Sequence, residues 1–355
     1  MTHMVNNAMR PQQPDLRVVG LVEPDEARAR EALTPAEREE ARFFSRLEEM
    51  VEATRPDALA IGTRCNLHTK YAIEAAAFGL PLFLEKPVAV TMEQAVALEE
   101  AYQGFRAGVV VSFPLRVSPL HREARRLIQE GKIGRPEHLL GINYVPYGTV
   151  YFDSWYRDYQ ITQGLFLQKA THDFDYLADL AGAPIVRVAA TYSQGRVFRD
   201  ARFASEGGDA LYYEGIGTPE TGMNEDSSNA LLEFANGSKG VYTQVFYSRR
   251  EAQARGATVS GPRGTVQFDW YANRLRYVPH FEGEVETWEP KGIEGHFGGD
   301  DELARNFLAV VRGEEASMSP LSSGLKSVYA CLAAKESAET GRFVDVRPCR
   351  LNDQP

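Results

Sequence analysis

The stretch Leu82-Phe83-Leu84-Glu85-Lys86-Pro87-Val88-Ala89 constrains the fold more than any other part of the chain. An apolar run suited to a buried strand stops at a Glu-Lys pair. Pro87, with no N–H and a fixed φ, then takes the backbone out of the ladder. Glu85 and Lys86 therefore belong at the carboxyl end of a strand, which in an open α/β sheet is the ligand side. A lysine set there against apolar chain loses solvent, and this lowers its pKa toward the range where it can give or take a proton. An exposed ion pair ahead of a turn is the plainer alternative.

The flanking sequence repeats the pattern. Asp15 to Val22 reads as a buried strand closed by Glu23-Pro24-Asp25, and an acidic residue so placed can take the ribose hydroxyls of a dinucleotide. Residues 26–52 read as one or two exposed helices broken near Thr34-Pro35, with Phe43, Phe44, Leu47, Met50 and Val51 at helical spacing facing the sheet. Ala58 to Gly62 is another short strand, ending at Thr63-Arg64-Cys65-Asn66-Leu67-His68. Here Thr63 and Asn66 either meet a cofactor or cap a helix over 67–78 that Gly79 closes. After the strand at 82–84 comes a helix from about Thr91 to Gln103, with Thr91 and Gln94 as a capping box, and then a strand at Gly108 to Phe113. Short strands alternating with helices specify a parallel, Rossmann-like sheet. A first strand and glycine-rich turn ahead of Asp15 are missing, because Met1 to Met9 already reads as the helix that would follow such a turn. The start then lies late in the gene, or the usual phosphate site has been lost.

At 355 residues the chain suggests roughly two domains. The grammar changes after Phe113, giving a dinucleotide-binding domain at 1–113 and an α+β domain at 114–355. In the latter, alternating runs at 137–147, 185–194, 229–235 and 240–247 read as a large, mostly antiparallel open sheet. Asn236-Gly237 and Gly261-Pro262-Arg263-Gly264 supply its turns. Val241, Thr243 and Val245 alternate with Tyr242, Gln244 and Phe246, so both faces carry bulky groups; helices can cover one, and a partner subunit or loops the other. Residues 201–228 read as a long acidic, glycine-rich loop that shapes specificity. The net charge of −10 excludes a basic nucleic-acid surface. Cys65, Cys331 and Cys349 are too scattered for a disulfide framework or a C-x-x-C site. No run approaches the roughly 18 apolar residues of a membrane span, and no leader pattern is present, which makes the cytoplasm the expected location.

A second polar constellation follows Trp155-Tyr156-Arg157-Asp158. Residues 165–180 have helical spacing, which sets Gln168 and His172 on one face with Lys169 and Asp173 beside them. Amide, amine, imidazole and carboxylate together suit a polar substrate bearing several hydroxyls, with Trp155, Arg157, Gln168 and Asp173 as its contacts. His172 is the acid–base candidate. A metal reading of His172 with Asp173 is weak, since neighbouring helical residues diverge by about 100° and no third ligand is evident; no metal is expected. Asp175 reads as a packing carboxylate, and His121 as a packing or surface histidine.

Glu85-Lys86-Pro87 after a strand, Thr63 to His68 one unit earlier, Gly131-Lys132-Ile133-Gly134 at the crossover, Gly164 to Asp175, and the tail Glu336 to Arg342 together resemble the Gfo/Idh/MocA oxidoreductases over nearly the whole chain. The resemblance implies a nicotinamide-binding Rossmann domain and an α+β domain whose open sheet forms homodimers or homotetramers. It also implies hydride transfer at a hydroxyl-bearing carbon of a sugar, inositol or related polyol. Lys86, beside Glu85, matches the lysine that orients substrate and relays protons, and His172 matches the active-site histidine. Glu23 falls where an acidic residue takes the adenosine ribose, favouring NAD over NADP. Thr63 and His68 fall in the loop along the cofactor. Gln168 stands where many members carry aspartate, which passes the proton relay to Lys169, and Arg64 replaces a common proline. A non-catalytic sugar-binding relative, and a glycoside-cleaving one with tightly held NAD, are the alternative classes.

Overall fold

The computed structural model describes residues 1, 3–198, 205–206, 209–210, 222–291 and 295–351. The strand expected over 15–22 is cut short: β1 is Gly20–Leu21, paired in parallel with β2, Arg42–Phe43. Upstream, the backbone is engaged elsewhere. The Val18 N–H donates to Glu37 Oε1 at 2.7 Å, and the Leu16 carbonyl accepts from Arg10 at 3.3 Å. Between β1 and β2 lie helices α1 (Glu26–Glu31) and α2 (Pro35–Glu40), broken at Thr34-Pro35 as expected, with Thr34 and Glu37 capping reciprocally. Phe43 and Phe44 depart from the helical expectation. Ala41 turns extended and the Phe44 N–H donates to the Leu21 carbonyl at 2.9 Å, so pairing with β1 wins and α3 runs only over Leu47–Thr54.

The second parallel piece has the order β3 (Leu59–Ile61), β4 (Leu82–Leu84), β5 (Val109–Val111), with α4 (Cys65–Ala76) and α5 (Met92–Ala101) between the strands. Among the described residues no ladder joins it to β1, so the one sheet expected from sequence is two. α4 begins two residues earlier than expected. Asn66 therefore sits in its first turn, and Arg64 takes the cap position without a side-chain bond. Thr91 does cap α5, accepting from the Gln94 N–H, but Gln94 reaches back to the Val90 N–H instead of Thr91.

Helices α6 (Pro114–Val117) and α7 (Pro119–Gln129) lead into the second part. Its first strands are β6 (His138–Tyr144) and β7 (Ile185–Gln194), with α8 (Tyr159–Thr162) and α9 (Thr171–Ala181) between them. A small pair, β8 (Ser205–Glu206) and β9 (Asp209–Ala210), stands apart. β10 (Glu225–Phe234), β11 (Lys239–Val245), β12 (Ala254–Ser260), β13 (Gly264–Asp269), β14 (Arg274–Pro279) and β15 (Glu286–Trp288) follow. Then come α10 (Gly295–Val311), α11 (Leu321–Thr340) and β16 (Val344–Asp345).

The described sheet has nine strands in the order β15-β14-β13-β12-β6-β11-β10-β7-β16, antiparallel except where β11 runs parallel to β6. Asn236-Gly237 turns β10 into β11, with Gly237 at φ +90°. Most of the loop expected over 201–228 lies outside the described residues, and residues 225–228 belong to β10. The helix expected over 165–180 begins instead as a widened π turn, Phe166–Ala170, that passes into α9.

One face of the large sheet packs under α7, α9 and α11 and buries Tyr242 and Gln244 completely. The opposite face leaves Val241, Thr243 and Val245 half-buried and Leu231 at 50 % exposure. Helices α10 and α11 cross back over the 113/114 boundary drawn from sequence. The Val111 N–H donates to the Ser319 carbonyl at 2.7 Å, and Phe307 of α10 joins Met4, Met9, Phe83 and Val110 in one cluster.

The close seat of α9 on β6 depends on a missing side chain. A Cβ at Gly141 would lie 2.7 Å from Leu177 Cδ1, and Leu177 is fully buried. Gly141→Val is expected to lift α9 and destabilise the protein by about 1–3 kcal/mol, measured as a fall in the urea unfolding midpoint.

Candidate active site

Pro87 ends β4 so that Lys86 leaves the sheet at its carboxyl end, and the Lys86 amine reaches across the molecule to donate to the Gln168 backbone carbonyl at 2.8 Å. That carbonyl belongs to the π turn, a widened turn that recurs at functional sites. Loss of solvent, reinforced by the neighbouring charge of Lys169, brings the Lys86 ammonium down to about 8. The Glu85 carboxylate accepts from the Lys86 N–H at 3.3 Å.

His172 follows in the first turn of α9, almost fully buried, with its ring edge-on to Phe113 at 5.6 Å and Nδ1 enclosed without a partner. Burial, then the charges of Lys86, Arg255 and Lys169, hold its imidazole well below the usual histidine range, so it is neutral in ordinary buffers. Lys169 is buried and donates to the Tyr147 hydroxyl at 2.9 Å, with its amine 5.0 Å and 5.5 Å from the centres of the Tyr147 and Tyr151 rings. Burial lowers the Lys169 pKa, against the opposing pull of Tyr147.

Two residues expected to touch substrate are committed elsewhere. Asp173 is fully buried and accepts from Arg255 Nε (3.1 Å) and Nη2 (2.9 Å), Asn143 Nδ2 (2.8 Å) and the Tyr242 hydroxyl (2.7 Å). Its two oxygens are thereby saturated. Gln168 does not stack over His172, because the π turn breaks the four-residue spacing; its side chain donates to Cys65 Sγ. Trp155 stacks on Tyr156 (centroids 3.8 Å apart) and beneath the Arg64 guanidinium at 4.1 Å, a cation–π joint between the two parts of the chain. Arg157 lies half-buried in the same short turn, Ser154–Arg157.

At the carboxyl ends of the parallel strands, Glu23 is exposed two residues beyond β1 and accepts from the Asp25 N–H at 3.0 Å. Thr63 is exposed beyond β3, and Asn66 Oδ1 is buried without a partner. His68 departs from the cofactor expectation: it is 2 % exposed and its ring nitrogens lie 2.8 Å from the Pro87 carbonyl and 3.0 Å from that of Thr63, so it ties the two strand-end loops together.

A cavity of about 470 Å³ opens beside these groups, walled by Tyr147, Arg255, Trp270, Tyr271, His296 and Phe297 among others. His296 and Phe297 hold left-handed backbone (φ 38° and 58°), a strain that collects at binding sites, and His296 Nδ1 lies 2.9 Å from Asp300. Sequence reasoning missed this wall. The usable signal was Arg255, a charged residue on the inward side of an otherwise small and apolar strand. Among the described residues no group of three or more His, Cys, Asp or Glu side chains could hold a metal ion, and no helix is long and apolar enough to cross a membrane.

Residues 1–113 match a family profile described as "Oxidoreductase family, NAD-binding Rossmann fold", and residues 121–267 match the GFO/IDH/MocA C-terminal domain. An inositol 2-dehydrogenase of Rhizobium meliloti is 26% identical over 83% of this chain and 88% of its own. Another, of Corynebacterium glutamicum, is 29% identical over 49% of each chain, so the chain spans about half the length of that relative. Levoglucosan dehydrogenase, solved with NADH and L-sorbose, superposes with a TM-score of 0.76 over 94% of this chain and 90% of its own, at 22% identity.

The buried Arg255–Asp173 pair is the strongest energetic claim of the site. Asp173→Ala leaves Arg255 buried without its carboxylate and is expected to cost about 3–5 kcal/mol of stability, read from chemical denaturation.

Proposed function

We propose that this chain, which belongs to the Gfo/Idh/MocA family of oxidoreductases, moves a hydride between nicotinamide and a hydroxyl-bearing carbon of a sugar, inositol or related polyol. The observation that carries the reading is the bond from Lys86 Nζ to the Gln168 carbonyl. It brings the amine of the first part to the edge of the turn that presents Lys169 and leads into His172. The donor set fits a dinucleotide along much of its length. The Glu23 carboxylate suits the adenosine ribose hydroxyls, which favours NAD over NADP. Thr63 and the orphaned Oδ1 of Asn66 suit the nicotinamide side, while residues 1–19 contain no glycine to form a phosphate turn. Bound nicotinamide supplies the hydride acceptor and donor.

The protein's own groups manage the oxygen and its proton. Lys86, with an amine near 8, is both charged and neutral in useful amounts around neutral pH and can orient and polarise the reacting hydroxyl. Neutral His172 accepts or returns a hydrogen bond beside it. Three unpaired cysteines support a cytoplasmic setting.

Relatives acting on inositol and levoglucosan support the substrate class. Incubation with NAD and a panel of polyols, followed by the absorbance of reduced nicotinamide, tests the reading. Turnover is expected, and Lys86→Ala and His172→Ala should each reduce it about 10²–10⁴-fold. Saturable sugar binding with no reduced nicotinamide formed would favour the non-catalytic class instead.

The open sheet face supports a homodimer or homotetramer. Leu231, Val241, Leu140 and Ile142 form an apolar band there that, among the described residues, no helix covers. Leu231→Glu is expected to shift the protein to monomer in light scattering at matched concentration.

A further inference from the structure

We propose that the Tyr147 hydroxyl is the terminal proton acceptor and donor for the substrate's reacting oxygen, and that Lys169 holds it in its ionisable state. The inference rests on the polyol oxidoreductase reading and names the atom that reading leaves open. Tyr147 follows β6 and lines the cavity, where its residue is 43 % exposed. Its oxygen accepts from Lys169 Nζ at 2.9 Å, and among the described residues no carboxylate forms an ion pair with that buried ammonium. A Tyr147 phenolate would be an anion in direct hydrogen-bond contact with Lys169, while Asp173 acts on it without such a bond.

The groups facing Tyr147 come from every neighbouring element. Lys169 projects from the π turn, Arg255 from β12, Tyr271 from the turn after β13, Tyr151 and Tyr156 from the turns after residue 147, and His296 from the start of α10. Arg255 is ion-paired with Asp173, so Lys169 is the cation in direct contact with the Tyr147 oxygen. Burial opposes ionisation of Tyr147, but the charges of Lys169 and Arg255 prevail and bring the hydroxyl down to about 7.

In the oxidising direction the substrate O–H bond breaks and its proton forms a bond to the Tyr147 oxygen, turning phenolate into phenol. The carbinol carbon gives up its hydrogen with both electrons to the nicotinamide, and the carbon–oxygen bond becomes a carbonyl. Reduction reverses each transfer. A phenol titrating near neutrality is well matched to both directions.

Two measurements decide it. Ultraviolet difference titration of the protein without substrate should show a tyrosinate forming near pH 7 that is absent in Tyr147→Phe and moves upward in Lys169→Gln. In steady-state oxidation, Tyr147→Phe should lower kcat by about 10²–10⁴-fold with little change in KM, and should abolish the rise of rate through pH 7. A wild-type titration with no tyrosine ionising below the ordinary value of about 10 overturns the proposal. So does a Tyr147→Phe enzyme that keeps the wild-type rate and pH profile, a result that leaves the polyol reading standing. A normal low-pH tyrosinate in a protein that turns over no polyol would overturn the functional reading instead, while supporting the Lys169–Tyr147 pairing.

Discussion

The carboxylate of Asp173 organises the site. An ionised group removed from water costs several kcal/mol unless its lone pairs are met, and here Arg255, Asn143 and Tyr242, from three adjacent strands, meet them together. Because each donor stands on a different strand, the start of α9 can sit in one place on the sheet. The π turn just before it inherits that position, and with it Lys169 and the Gln168 carbonyl. Gly141 lets the same helix approach β6 closely further along.

Once Asp173 is consumed by Arg255, the remaining charges are mostly positive. Lys86 and Lys169 stand within electrostatic reach of each other and of His172, and desolvation weakens all three as cations. The outcome is a neutral imidazole, an amine poised near 8 and, at the cavity wall, a tyrosine poised near 7. Perturbed groups of this kind collect where proton transfer is needed, and here their cause is specific: cations outnumber the carboxylates available to balance them.

The two parts of the chain are joined by directional contacts as well as by burial. Lys86 bonds the π turn, Gln168 bonds Cys65, and Arg64 lies over Trp155. The arginine where the family often has proline thus gains a cation–π partner across the joint. His68 braces the two strand-end loops by contacting the Pro87 and Thr63 carbonyls.

Much of this was legible in the chain itself. Pro87 after Glu-Lys places Lys86 at a strand end because proline cannot continue a ladder, Asn236-Gly237 fixes a hairpin because its backbone favours positive φ, and the alternation along β11 announces a sheet with bulky groups on both faces, of which helices can cover one. Local rules also failed in identifiable places. Phe43 and Phe44 have helical spacing but pair with Leu21, and Asn66 looks like a cap yet lies inside α4. Asp173 and Gln168 have the polarity of substrate contacts, but strands 30 to 82 residues away and a cysteine of the first part claim them. Whether a polar side chain faces a ligand or another part of the protein depends on which distant donors reach it, and that is a property of packing. The sequence by itself determined the two architectures, Lys86 at a strand end in the first and His172 on a helix in the second. Only the tertiary structure decided that Asp173 belongs to Arg255 and that Lys169, which among the described residues forms no ion pair, belongs to Tyr147, because charge balance in a buried site is settled among residues that sequence order keeps apart.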